Sequence, residues 1–295
     1  MLAIFYEILT GRAPDMLRAY VLAVLIQMVA TNTLIELGYL KITIPPFFGV
    51  ATALSGLAFG LGMVLAVGCT GAILYRVGEG KLDYVFAMIA YAVSAWASNH
   101  WLVESIRRTL HGKGMHITLH HAVGMNRWLM IAIVAMAGIL WVMRGRRRPY
   151  YEGWDWARTG LFLGLTGVIT WAVSAMIGDP AGLGTVHGTD SLATVIFEGD
   201  LSALNWTLFM VLGIPLGSFI SSLFHGKSPG KPFRLERVPH ALIGGLLMGL
   251  GATMVNGDNV MHGLSGVPLL AMSSLTFMFC IFIGVWIGVR LGWLK

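Results

Sequence analysis

Charge is what this sequence has least of. Asp, Glu, Lys and Arg make up 12% of its 295 residues, against 56% hydrophobic residues and a mean hydropathy of +0.75. A soluble domain carries about 25% charged residues, so there is too little charge here to coat a water-facing surface, and a soluble fold is excluded. Cysteine is nearly absent as well. Cys69 and Cys280 both lie in apolar runs and make no disulfide framework. The spacings of a haem-attachment site, a zinc-protease helix, a dinucleotide fingerprint and a P-loop are all missing. No cofactor, no resident metal and no enzymatic activity are therefore expected. A basic leader ahead of a short cleavable apolar core is missing too, so the first span is expected to serve as the insertion signal.

Uncharged length is what the chain has in abundance. Runs at 19–35, 42–75, 84–103, 128–143, 159–178, 201–226, 238–257 and 259–289 hold no charged residue except Asp258 in the gap before the last. A helix needs about 20 apolar residues to cross a bilayer. These runs predict seven to nine spanning or partly spanning segments, and an all-α polytopic membrane protein. The formal charge of +6 does not point to nucleic acid, because the basic residues cluster at segment ends. Five arginines fall in 144–158 and four basic residues in 225–240, whereas 179–203 has no Lys or Arg. By the positive-inside rule the first two loops face the cytoplasm. The loop 104–126 fits less well, since it should lie outside yet carries Arg107, Arg108 and Lys113. The seventeen methionines are scattered singly through apolar runs and read as core filler.

One unusual segment occurs twice. "GLAFGLGMVLAVGCTG" starts at Gly56 and "GLLMGLGATMVNGDNV" at Gly245, and the pairs Gly56/Gly245, Gly60/Gly249, Gly62/Gly251 and Gly68/Gly257 all differ by 257 − 68 = 189. Cys69 thereby falls on Asp258. An internal duplication is the expected cause, and an odd number of crossings between the copies makes them inverted repeats. The run 42–75 would be about 51 Å long as a single helix, far more than the hydrocarbon core of about 30 Å. It must therefore break, and Gly68–Gly71 is the expected place. Interrupted helices at matching positions of two halves point to a midplane site, where free N–H groups and the positive helix end favour an anion. Gly68, Cys69, Thr70 and Gly71 on one side and Gly257, Asp258, Asn259 and His262 on the other are the expected path residues. Small residues four apart also serve close helix packing, which is a sufficient account of the upstream glycines. It is not sufficient for Asp258, because an intramembrane carboxylate costs about 2.5–3.5 kcal/mol even on insertion scales.

The segment "LHGKGMHITLHHAVGM" gathers His111, His116, His120 and His121. If the segment were helical, His116 and His120 would share a face. They read first as solvated interfacial histidines, and secondarily as an anion funnel with the nearby cations. Arg76 and Lys81, in "YRVGEGK", are expected at the membrane surface.

The ordered pair "GCTGAILYRVGEGKLDY" and "ALIGGLLMGLGATMVNGDNVMHGLSG", with "LNWTLFMVLGIPLGSFISSLF" before the second, resembles the YeeE/YedE family of bacterial inner-membrane proteins over most of 40–290. The resemblance implies an hourglass-shaped inverted-repeat fold that passes small sulfur-containing anions, thiosulfate above all, with some relatives linked to selenium. It implies a path lined by cysteines at the helix breaks and, commonly, a cytosolic sulfur-carrier partner. Cys69 with Gly68 and Gly71 matches one motif, and Gly257 with His262-Gly263-Leu264-Ser265-Gly266 the other, where Asp258 stands in place of the second cysteine. A further early-chain cysteine is replaced by the polar run Thr31, Asn32 and Thr33.

The expected organisation is a single membrane domain over 1–295. A first repeat region spans 40–126, a span with its basic loop 127–158, and a second repeat region 159–295. The expected function is a transporter or channel for a small sulfur-containing anion or a related selenium species, surrounded by lipid in the bacterial inner membrane. Asp258, kept neutral by burial, would donate in place of the missing thiol. Two alternatives stay open: a non-transporting membrane subunit of a redox or sulfur-processing complex, and a proton or cation pathway through Asp258.

Overall fold

The computed structural model describes residues 1–11, 14–99, 114–144, 154–224 and 234–293. Residues Arg107, Arg108, His111, Lys113, Arg146, Arg147, Arg148, Lys227 and Lys231 fall outside these ranges. Twelve helices carry the described chain: α1 (Leu2–Thr10), α2 (Asp15–Glu36), α3 (Val50–Leu65), α4 (Thr70–Gly78), α5 (Asp83–Ala97), α6 (Leu119–Val123), α7 (Arg127–Met143), α8 (Trp156–Met176), α9 (Val186–Glu198), α10 (Trp206–Phe224), α11 (Val238–Met254) and α12 (Met272–Arg290). Between α11 and α12 a half-helix over 259–266 widens into a π-turn at Met261–Gly266. Five apolar stretches are long enough to cross a membrane, and α5 and α7 are shorter apolar helices. The chain is a polytopic helical membrane protein.

Local chemistry sets the helix ends. Asn126 caps α7 by accepting from the Trp128 N–H at 2.8 Å, and Asp155 caps α8 by accepting from the Arg158 N–H at 3.0 Å. Each satisfies one of the amide donors left over at a helix start. Pro215 sits inside α10, where it removes a backbone donor. The adjoining turn is used for packing, because Ser218 Oγ donates to the Tyr75 carbonyl of α4 at 2.6 Å.

The 29-residue stretch Val50–Gly78 is one apolar run by composition, yet it breaks between α3 and α4. The break lies slightly earlier than Gly68–Gly71, and its pivot is no glycine: Val67 takes φ 52°. Adding 189 to 67 gives Asn256, which takes φ 56°. The hydrogen bonds repeat at the same register. Gly68 N donates to Met63 O at 3.0 Å and Gly257 N to Ala252 O at 2.9 Å, while Ile73 N donates to Cys69 O at 2.8 Å and His262 N to Asp258 O at 2.9 Å. Left-handed geometry suits Asn and strains a β-branched residue, by about 1–3 kcal/mol. Val67→Asn is therefore expected to raise the thermal unfolding midpoint of the detergent-solubilised protein by a few degrees. An unchanged or lower midpoint would show that the valine is held without strain.

The shift of 189 extends beyond the glycine motif. It carries α3 onto 239–254 in α11, α4 onto 259–267 at the half-helix, and α5 onto 272–286 in α12. It also carries α2 onto 204–225 at α10, and α1 onto 191–199 in α9. Packing follows the same rule. A Cβ on Gly62 would lie 2.7 Å from Gly244 O and 2.8 Å from the Met248 side chain; one on Gly251 would lie 2.7 Å from Ser55 O and 3.1 Å from the Phe59 side chain. Each of these contacts is the other moved by 189, so α3 and α11 are related by a pseudo-two-fold axis. Residues advancing along α3 meet residues receding along α11, so the two helices are antiparallel, as inverted repeats require. Lipid gives no hydrophobic drive for helix association, and such close backbone approach through small residues supplies the dispersion that does. Helices α6, α7 and α8 lie between the two copies. Parallel to α2, α8 packs on it through Gly160, Gly164 and Gly167, the last against the buried Gln27 amide.

Candidate functional site: a two-sided constriction at the helix breaks

The two breaks meet at the pseudo-two-fold axis. Thr70 Oγ1 lies 3.2 Å from Asn259 Oδ1, and these residues are equivalent under the repeat. The same hydroxyl donates to Asp258 Oδ2 at 2.8 Å. Cys69, Thr70, Asp258 and Asn259 are thus brought together, with Gly71 against Val260 and with Gly68 and Gly257 each within its own break.

The two half-helix starts nevertheless differ. Cys69 occupies the N-cap position of α4 with extended backbone, its sulfur turned toward the Ala72 amide. Its thiol is 6% exposed and lies 3.8 Å from the Met1 amine. A cavity of about 610 Å³ reaches it, lined around the constriction by Cys69, Gly71, Asn259 and Tyr20 and farther out by Asp15 and Trp154. Tyr20 is fixed by donating from its hydroxyl to Gly263 O at 2.8 Å. Asn259 is fully buried with its side chain against the Cys69 sulfur, and its Nδ2 has no oxygen or nitrogen partner among the described residues.

Asp258 is fully buried and does not line the cavity. Its Oδ1 accepts from Met261 N at 2.9 Å, which caps the half-helix. Its Oδ2 accepts from Thr70 Oγ1, from Thr185 N at 3.3 Å, and from Thr185 Oγ1 through a short contact. Two backbone amides donate to it, and the hydroxyls of Thr70 and Thr185 complete its shell. A carboxylate at a helix N-terminus draws on free amides and the positive helix end at once.

The remaining expected residues stand apart from the cavity. His262 is fully buried; its Nδ1 is 2.8 Å from Ser274 Oγ and its ring lies 4.6 Å from that of Phe277. Arg76 ties down the first break by donating from Nη1 to Val67 O at 2.6 Å and to the Tyr84 hydroxyl. His116 and His120 do not share a helical face. Residues 114–118 are extended, with isolated bridges Phe47 to Met115 and Thr118 to Ala271, and only Leu119–Val123 is helical. His116 pairs with the Ile44 carbonyl, and His120 is 3.4 Å from Thr118 Oγ1. Burial, with the neighbouring His121, holds His120 below the ordinary imidazole value, which disfavours a cationic funnel there. Asn32 is buried and donates to Met28 O and Pro268 O, whereas Thr33 is exposed. The sequence motifs do not mark Thr185. Its only signal is its place immediately before α9, after the Gly-Leu-Gly of 182–184.

A protein family described as sulphur transport matches residues 1–287 of this chain. The thiosulfate transporter TsuA of Spirochaeta thermophila is 30% identical over 96% of this chain and 89% of its own length. TsuA of Escherichia coli K12 is 26% identical over 92% of this chain and 82% of its own. The probable transporter YedE of the same bacterium is 29% identical over 58% of this chain, and the match spans 39% of YedE. A profile that runs almost from end to end, over a fold whose two broken helices meet at a buried thiol, has one reading: the chain belongs to the sulphur-transport family.

Proposed function

We propose that this protein carries thiosulfate, or a closely related sulfur or selenium oxyanion, across the bacterial inner membrane without transforming it chemically. The observation that carries this reading is the Cys69–Asn259 pair at the inner end of the cavity. A thiol and an amide donor with no oxygen or nitrogen partner among the described residues share the same space there, beside the amide-rich starts of two half-helices, where an anion is favoured. Both side-chain donors are neutral, so they can hold a dianion and still release it. A lysine or arginine in their place would bind it more tightly and slow its exit. The TsuA relatives, named as thiosulfate transporters, cover nearly the whole chain, which supports the same substrate class.

In this reading Gly68, Cys69, Thr70, Gly71, Gly257 and Asn259 form the path, with Asp258 behind them. His262 and Arg76 hold the two half-helices in place. The first repeat region (40–126) and the second (159–295) contribute one break each, and 127–158 joins them on the cytoplasmic side. A cytosolic sulfur-carrier protein would receive the anion at that face, and lipid surrounds the remainder.

Purified protein in liposomes is expected to take up labelled thiosulfate with saturation kinetics, and with selenite or sulfite as weaker substrates. Empty liposomes and an unrelated membrane protein serve as controls. Flux indistinguishable from those controls for every anion tested would overturn the transport reading.

A further inference from the structure

The Asn259 amide, the donor at the inner end of the cavity, depends on a hydroxyl that is shared. Thr70, at the first position of α4, is buried. Its Oγ1 lies 2.8 Å from Asp258 Oδ2 and 3.2 Å from Asn259 Oδ1. A threonine hydroxyl carries one hydrogen and two lone pairs, so it donates fully to only one of these oxygens at a time. Asp258 keeps the Met261 and Thr185 amides and the Thr185 hydroxyl whichever way Thr70 points. The Asn259 amide is less well served. Its Oδ1 shares the single hydrogen with a carboxyl group. Its Nδ2 has no oxygen or nitrogen partner among the described residues, although the side chain is fully buried. A buried polar group short of partners is costly.

An amide's oxygen and nitrogen differ little in size, so a turn of 180° exchanges them with almost no change of shape. Turned in this way, Nδ2 would donate to Thr70 Oγ1, Thr70 would give its hydrogen to Asp258, and Oδ1 would face the cavity beside Cys69. The amide nitrogen, the Thr70 hydroxyl and Asp258 would then all be paired, and an anion in the cavity would meet an oxygen that repels it. In the orientation described above, Thr70 instead has its hydrogen available to Asn259 Oδ1, and the amide nitrogen is left for the anion.

We propose that Thr70 is the positioning residue of the constriction, its one hydrogen, moved between Asp258 and Asn259, setting whether the amide shows the path a donor or an acceptor. The proposal rests on the transport reading above. An arriving anion draws the amide nitrogen toward itself, and Thr70 swings its hydrogen from Asp258 to Asn259 Oδ1 and holds the amide there. Only hydrogen bonds are exchanged; no proton leaves any residue. When the anion has moved on, Nδ2 returns to the Thr70 oxygen. A cation of the same size offers the nitrogen no acceptor, so it meets the repaired site and is refused. Specificity of this kind comes from a polar group that the wrong ligand would leave unpaired.

The test is a double-mutant cycle on the full chain in liposomes, read as initial thiosulfate uptake over a range of concentrations. Thr70→Val keeps the shape of the side chain and removes its hydroxyl. It is expected to raise KM for thiosulfate by about 10-fold, the scale of one hydrogen bond. Because the lost interaction holds the bound anion throughout, kcat should stay within about threefold. Thr70→Ser restores the hydroxyl and should recover most of the affinity. In an Asn259→Ser background there is no amide to turn, since a serine hydroxyl rotates to donate by itself. Adding Thr70→Val there should change KM by less than about twofold. A threonine that only braced the two half-helices would cost the same in both backgrounds and would lower kcat and the thermal midpoint together. That result would overturn the positioning role while leaving the transport reading standing, as would an unchanged KM in Thr70→Val. Absence of any thiosulfate flux in the wild type would overturn the transport reading and this role with it. Should Thr70→Val fail to elute as a folded species, Thr70→Ala, which also lacks the hydroxyl, runs the same cycle.

Discussion

Replacing Cys69 by alanine is expected to lower thiosulfate uptake by about 10- to 100-fold while leaving the protein folded and inserted. A hydrogen bond to a charged partner contributes about 1.5–3 kcal/mol, and each 1.4 kcal/mol is a factor of ten. Sulfur is only a weak acceptor for the Ala72 amide at the start of α4, so loss of the thiol removes a donor from the anion at small cost to the half-helix. Cys280 supplies the control. It is buried where α12 packs against α3 at Gly56, and Cys280→Ala is expected to leave uptake within about twofold, at a modest stability cost from the lost packing. Initial uptake rates in liposomes decide the comparison. Equal rates in Cys69→Ala and wild type would remove the thiol from the mechanism.

Asn259→Asp is expected to have the larger effect. The substitution keeps shape and volume almost unchanged, but it turns the donor facing Cys69 into a negative charge at the inner end of the cavity. Two unit charges 4 Å apart interact with about 4 kcal/mol at an effective dielectric of 20, enough to suppress anion occupancy by about a thousandfold. A second carboxylate beside Asp258 also strains the site, so the thermal midpoint should fall. Asn259→Ser, which keeps a donor, separates the two effects and is expected to recover most of the uptake. Retention of wild-type uptake by Asn259→Asp would show that the anion never passes this amide.

Much of the frame can be read from letters alone. The glycine offset of 189 locates both breaks and predicts their opposite orientation, because glycine is forced wherever two backbones touch. Excess length in 42–75 demands a break. Its pivot could not be read, since Val67 is a residue type that avoids left-handed geometry. The matches of α1 to α9 and of α2 to α10 were hidden for another reason: apolar helices in lipid accept many side chains, so the duplicated spans keep their geometry without keeping distinctive residues. At the site, Cys69, Asn259 and Asp258 were legible from the motifs. The hydroxyl shell around Asp258 was not, because it is completed by Thr185, 73 positions away along the chain. The pair His116 and His120 misled through a helical spacing that an extended segment does not use.

The glycine seam between α3 and α11 has a mechanical consequence. At Gly62 and Gly251 one helix lies directly on the carbonyl oxygens of the other, with the Met248 and Phe59 side chains packed tightly alongside. Sliding by one residue, about 1.5 Å, would drive a side chain into a backbone on both sides of the axis at once. The pair is therefore a fulcrum and not a moving joint. Rocking of one repeat against its mate, the common way for inverted repeats to alternate access, is blocked along this line. The segment from Ile177 to Thr185 is seated on the same fixed centre, through Ala181 on Ser174, Leu183 O on Ser265 Oγ and Thr185 on Asp258. A carrier built this way opens by bending the elements around a rigid pivot, with no sliding of the two repeats past each other.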